Sequence, residues 1–115
     1  MRKWAYLEHP LAYNDRQIFK VMIYETADDG TYVFLYDSCE AQCCIADEWY
    51  EKTTDATDKW NQFLGANVWN HIDDPLPDCQ HDSILPIRVK GRNIGAPEWG
   101  KYEVLVDGKW IEYNA

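Results

Sequence analysis

Positive charge is scarce in this sequence: eleven Lys and Arg stand against twenty Asp and Glu, a net charge of −9. Binding along a phosphate backbone draws its affinity from clustered cations that displace counterions, so a nucleic-acid partner is not expected. Long apolar runs are missing too. No stretch approaches the roughly 20 residues that cross a bilayer. The opening Met1-Arg2-Lys3-Trp4-Ala5-Tyr6-Leu7-Glu8-His9-Pro10 lacks the apolar centre of a secretory signal. These absences favour a cytoplasmic protein with no membrane partner, in which Cys39, Cys43, Cys44 and Cys79 are reduced thiols. A secreted chain after signal removal would carry the same residues. Serine is down to Ser38 and Ser83, and neither sits in a Gly-x-Ser-x-Gly elbow, so a serine triad has no support. Gly91, Gly95 and Gly100 do not form a phosphate-cradling turn before a helix.

What is present suits one folded domain over residues 1–115. A chain of this length buries roughly 65% of its unfolded surface and needs neither disulfide nor metal merely to fold. Six Trp, eight Tyr and three Phe demand a packed core, an exposed binding face, or both.

Gln17 to Tyr24 and Thr31 to Tyr36 read as two strands joined through Asp29-Gly30, a pair suited to the positive backbone angles of a hairpin turn. Trp4 to Leu7 adds a short strand in front. Thr54 to Gly65 reads as a helix with Ala56, Trp60, Phe63 and Leu64 in one apolar stripe. Thr53 or Thr54 is its expected cap, and a start as early as Asp47 is also compatible. Asn67 to Ser83 is loop-like. Ile84 to Val89 is a strand that Pro86 confines to a sheet edge. Lys101 to Val106 and Lys109 to Tyr113 form a second hairpin around Asp107-Gly108. The expected class is α+β: an antiparallel sheet of two hairpins plus extra strands, packed on one helix. A curled, partly closed sheet is the alternative. Ile18, Val21, Ile23, Val33, Leu35, Ala56, Trp60, Phe63, Leu64, Val104 and Leu105 are the expected core.

Four groups of residues are chemically suggestive. Cys39, Cys43, Cys79 and His81 are a possible zinc set, although they lack the paired Cys-x-x-Cys knuckles of structural sites. The same spacing gives a thioredoxin-like redox motif no support. The loop from His71 to Asp82 holds two His and four Asp, with Cys79 as a conceivable nucleophile for His71 or His81, which leaves a small hydrolase-like enzyme open. Arg88, Lys90 and Arg92 alternate along a strand and form a local basic stripe, or simply a solvated edge. Trp49, Tyr50, Trp69 and Trp99 fall in segments that read as loops or loop edges, where Trp often anchors an interface.

The segment from Tyr36-Asp37-Ser38 through Trp49-Tyr50, the helix, and the Asp-Pro-Leu-Pro-Asp loop together resemble a small bacterial protein family of uncharacterised function. The resemblance spans about two-thirds of the chain and implies no activity, cofactor or site. The residues themselves favour a non-enzymatic accessory or protein-interaction domain with no cofactor. Trp49, Trp69, Asp73, Asp74, Asp78 and Trp99 are its expected contacts, either with a protein partner or with a second copy.

Overall fold

A computed structural model describes residues 1–40 and 42–113. The chain forms two compact units, Met1–Asp73 and a second from Asp74 on. Both are antiparallel sheets, and the first carries the helix, so the protein is of the α+β class. None of the described helices is long and apolar enough to cross a membrane.

The first unit is a five-stranded sheet. Its strands are β1 (Arg2–Tyr13), β2 (Arg16–Glu25), β3 (Thr31–Tyr36), β4 (Ala46–Tyr50) and β5 (Asn70–Ile72), in the order β4-β3-β2-β1-β5. The front strand is much longer than Trp4 to Leu7, because β1 turns into β2 at Asn14, which takes the left-handed φ of 55° that this side chain tolerates. Its register with β2 shifts between Tyr6 and Leu11. That irregularity lets Ile18 join Val21 and Ile23 in one core despite their unlike parity along the strand. The expected Asp29-Gly30 turn is a wider loop in which only Gly30 has a positive φ, 73°. Thr26 holds it, accepting a hydrogen bond from the Asp29 amide and donating one to the Gly30 carbonyl, each 2.8 Å.

Helix α1 spans Thr53–Asn61, shorter than the expected run to Gly65. Ala56 and Trp60 pack on the sheet from the helix, whereas Phe63 and Leu64 follow its end, where the chain leaves helical geometry after Gln62. Ala5, Leu7, Ile18, Val21, Ile23, Val33, Leu35, Ala56, Trp60 and Leu64 form the core, with Phe63 half-buried against it. Neither proposed threonine caps the helix. Lys52 occupies the cap position without a side-chain hydrogen bond, and the Thr53 hydroxyl is engaged by Thr31 and Glu25 instead. Nor does the helix reach back to Asp47. Residues 46–50 pair with β3, and their burial alternates: Ala46, Glu48 and Tyr50 are half-buried while Asp47 and Trp49 are exposed. That period of two is a strand's signature, and pairing with β3 overrides the helix-compatible composition.

The opposite sheet face buries Lys20, with its Nζ 4.5 Å from the Tyr36 ring centroid and 3.4 Å from the Cys39 carbonyl oxygen. Burial pulls the Lys20 pKa below its ordinary 10.5, outweighing the opposing pull of Cys39. The unfolded chain therefore holds this proton more tightly, and stability should rise as pH climbs through the lowered pKa toward 10.5. Lys20→Met removes the buried charge at similar volume. We expect about 1 kcal/mol of added stability at pH 7 in urea melts, and a gap from wild type that closes at alkaline pH. A less stable variant would show that the ring contacts outweigh the desolvation.

The second unit is a three-stranded sheet, β6 (Ile87–Val89), β7 (Tyr102–Val106) and β8 (Lys109–Tyr113), in that order. The two hairpins thus belong to separate sheets. Asp107 and Gly108 take φ of 51° and 76°, both positive as a two-residue hairpin turn requires. β6 begins after Pro86 and is an edge strand. Val104 is buried beside Ile87 and Val89, whereas Leu105 lies on the other side of β7 and is half-buried.

Candidate partner-binding surface

The six expected contact residues divide between the units. Trp49, Trp69 and Asp73 belong to the first, and Asp74, Asp78 and Trp99 to the second. Trp69 is half-buried against the core, and its indole N–H donates to Asn61 Oδ1 at 2.7 Å. The Asp73 backbone carbonyl accepts from Arg2 Nε at 2.8 Å. Asp74 is exposed, as is Asp78, which has a φ of 65° that marks a turn. Trp99 is 75% exposed in the loop after the short 3-10 turn Arg92–Ile94.

Trp49 is both exposed and fixed. It is 55% accessible, yet its indole N–H donates to the Asp29 carbonyl at 2.8 Å. The ring lies over Gly30, where a Cβ would meet it at 2.6 Å. The absence of a side chain at Gly30 is therefore what lets the indole lie flat on the loop.

Strand register surrounds this ring with more aromatics. Tyr24 pairs with Tyr32 and Tyr32 with Trp49, so the three side chains form a row across β2, β3 and β4 on the face away from the helix. Tyr32 and Phe34 stack at 6.1 Å with an interplanar angle of 3°. Carboxylates frame the row. Asp47 lies two residues from Trp49 on the same face, and Asp29 accepts the Tyr32 hydroxyl. That hydrogen bond, with smaller contributions that include the charge of Asp47, pushes the Tyr32 phenol pKa up. Beside the row lies an open cleft of about 680 Å³ lined by Glu25, Thr26, Gly30, Thr31, Glu51 and Lys52, among others.

β4 is also a sheet edge, with no strand on its outer side among the described residues. Tyr32 and Asp29 were not singled out from sequence. The alternation of Tyr32 with the buried Val33 was the available signal, and only the register with β4 turns it into a surface.

The other candidate groups gain less. Cys39 and Cys43 belong to the first unit, Cys79 and His81 to the second. Ala41, within the cysteine stretch, lies outside the described residues. No two of the four cysteines are joined by a disulfide. Among the described residues, no three His, Cys, Asp or Glu are grouped to hold a metal ion. His71 sits exposed on β5 opposite Lys3, while Cys79 is buried and bridges to Arg88 across the edge of β6. The basic stripe is broken up by carboxylates. Arg88 pairs with Glu103 at 3.2 Å and lies 3.7 Å from the Trp110 ring centroid, Lys90 faces Glu98 at 3.9 Å, and Arg92 is in the 3-10 turn.

Comparison with protein-family models, curated proteins and solved structures finds no match to this chain. Its function is therefore read from its own surface.

Proposed function

We propose that the protein is a non-enzymatic accessory domain that works by binding another protein, with Trp49 as its anchor. A cytoplasmic setting suits the four thiols. The observation carrying the proposal is the fixed, exposed indole. A large aromatic that loses little freedom on burial is the common centre of an interface hot spot, and here its orientation is set before any partner arrives. The carboxylates around it supply a polar rim. Nucleic acid is not the partner in this reading, because the first unit alone carries thirteen Asp and Glu against six Lys and Arg.

Selection of a displayed random-peptide library on the immobilised full chain tests the reading. Convergent peptides should emerge, and Trp49→Ala should weaken them by at least about tenfold, the effect of losing roughly 1.4 kcal/mol of contact. A library that yields nothing, or peptides indifferent to Trp49, would refute it. So would micromolar binding of single-stranded or duplex oligonucleotides at about 150 mM salt, where exposed-charge attraction is already screened beyond roughly 8 Å.

A further inference from the structure

We infer that the edge of β4 receives a short, extended, basic segment of a partner protein, added as a sixth strand beside Trp49. The inference rests on the protein-binding reading above and names the occupant of that surface.

Three features of the edge lead to it. First, the outer backbone groups of Ala46–Tyr50 face no strand among the described residues, and a sheet edge in that state is a template for main-chain pairing with an extended segment. Ala46-Asp47-Glu48-Trp49-Tyr50 pairs with β3 in unbroken register without a proline, and its two charges are both negative, so they guard the edge against another acidic strand but not against a basic one.

Second, the two faces of β4 prescribe the side chains of the incoming strand. Asp47 and Trp49 project to one face, next to Tyr32 and Asp29. Carboxylates beside an aromatic face suit Lys or Arg, which can pair with the former and lie over the latter. On the other face Glu48 is already committed to Lys59, Tyr50 and Trp60, and Ala46 and Tyr50 pack against the core. Apolar β-branched residues fit there. The segment is therefore five or six residues long, with a cation at every second position, matching the five residues of β4.

Third, charge decides against a second copy of this chain. Pairing β4 with itself would bring two acidic strands side by side, with Asp47 and its neighbours facing like charge. A basic partner removes that repulsion.

The test uses the full chain and capped peptides of about eight residues. One alternates Arg with Val, one replaces Arg by Glu, and one keeps Arg but is N-methylated at its central amides. Calorimetry should give binding for the first that weakens with added salt. Binding should fall at least about tenfold on Trp49→Ala and on Asp47→Asn combined with Asp29→Asn, again about 1.4 kcal/mol each. The acidic and N-methylated peptides should not bind. Hydrogen exchange of the Ala46–Tyr50 amides should slow in the complex, while circular dichroism confirms that each variant is folded. Equal binding of the methylated peptide would overturn strand addition, and equal binding of the acidic one would overturn the charge match. Sedimentation showing a dimer that Trp49→Ala dissolves would assign the edge to a second copy and overturn the inference. If library selection yields Trp49-dependent peptides that are neither basic nor sensitive to N-methylation, this inference fails while the protein-binding reading stands. If it yields none, both fail.

Discussion

Trp60→Ala should lower the stability of the first unit by about 3–5 kcal/mol, a large share of the 5–15 kcal/mol typical of a small domain. Trp60 is 2% exposed and sits where the helix meets the sheet, in one cluster with Ala56, Leu64, Val21, Val33 and Leu35. Its ring also lies 5.3 Å from that of Phe63, and its indole N–H reaches Glu48 Oε1 at 3.0 Å. Truncation removes the largest apolar contact of a nine-residue helix, which has too few turns to persist without docking. Urea melts followed by far-ultraviolet circular dichroism measure the effect. A loss under about 1 kcal/mol would mean that the helix does not depend on this stripe.

The packing of the stripe was readable from its spacing, but only Ala56 and Trp60 sit in the helix; Leu64 and Phe63 reach the same core from the chain just past its end. The hairpin β7-β8 was readable because Asp107-Gly108 takes the two positive φ values that such a turn needs. Elements fixed by pairing were harder. β5 is three residues inside a stretch rich in turn-forming side chains, and only its alignment with Arg2, Lys3 and Trp4 makes it a strand. β4 was misjudged for a related reason. Glu48, Trp49, Tyr50 and Glu51 suit a helix by propensity, and nothing local reveals that β3 will claim them.

The candidate surface was half legible. Trp49 was singled out from its type and setting. Its fixed orientation depends on Gly30 and the Asp29 carbonyl, about twenty residues away, and on a loop wider than the one the Asp-Gly pair suggested. Asp73, Asp74 and Asp78 were chosen for their density in sequence, a criterion blind to which carboxylates stand beside an aromatic ring. Asp29 and Asp47 do so because register places them there.

Glu48 links this edge to the core, and its removal should be the second largest loss. Oε1 accepts hydrogen bonds from the Tyr50 hydroxyl at 2.8 Å and the Trp60 indole at 3.0 Å, while Oε2 meets Lys59 Nζ at 2.7 Å. Glu48→Ala strands the buried indole N–H, and an unmet donor of that kind costs about 1–3 kcal/mol. The exposed side of the Lys59 pair adds only a few tenths, so the expected total is about 2 kcal/mol at pH 7. Burial works to raise the Glu48 pKa, but the hydrogen bonds from Lys59, Tyr50 and Trp60 together hold it below its ordinary 4.5. The charge's contribution is therefore complete above pH 4.5 and is lost as pH falls through the lowered value. Glu48→Gln isolates that part, since the amide oxygen can still accept from Trp60. Its deficit against wild type should be flat from pH 7 down to about 5 and should shrink below 4.5. A deficit that persists undiminished at pH 3 would show that geometry, not charge, makes this carboxylate the clasp between β4 and α1. Because Glu48 and Trp60 share a hydrogen bond, the losses from Glu48→Ala and Trp60→Ala should sum to more than the double variant loses.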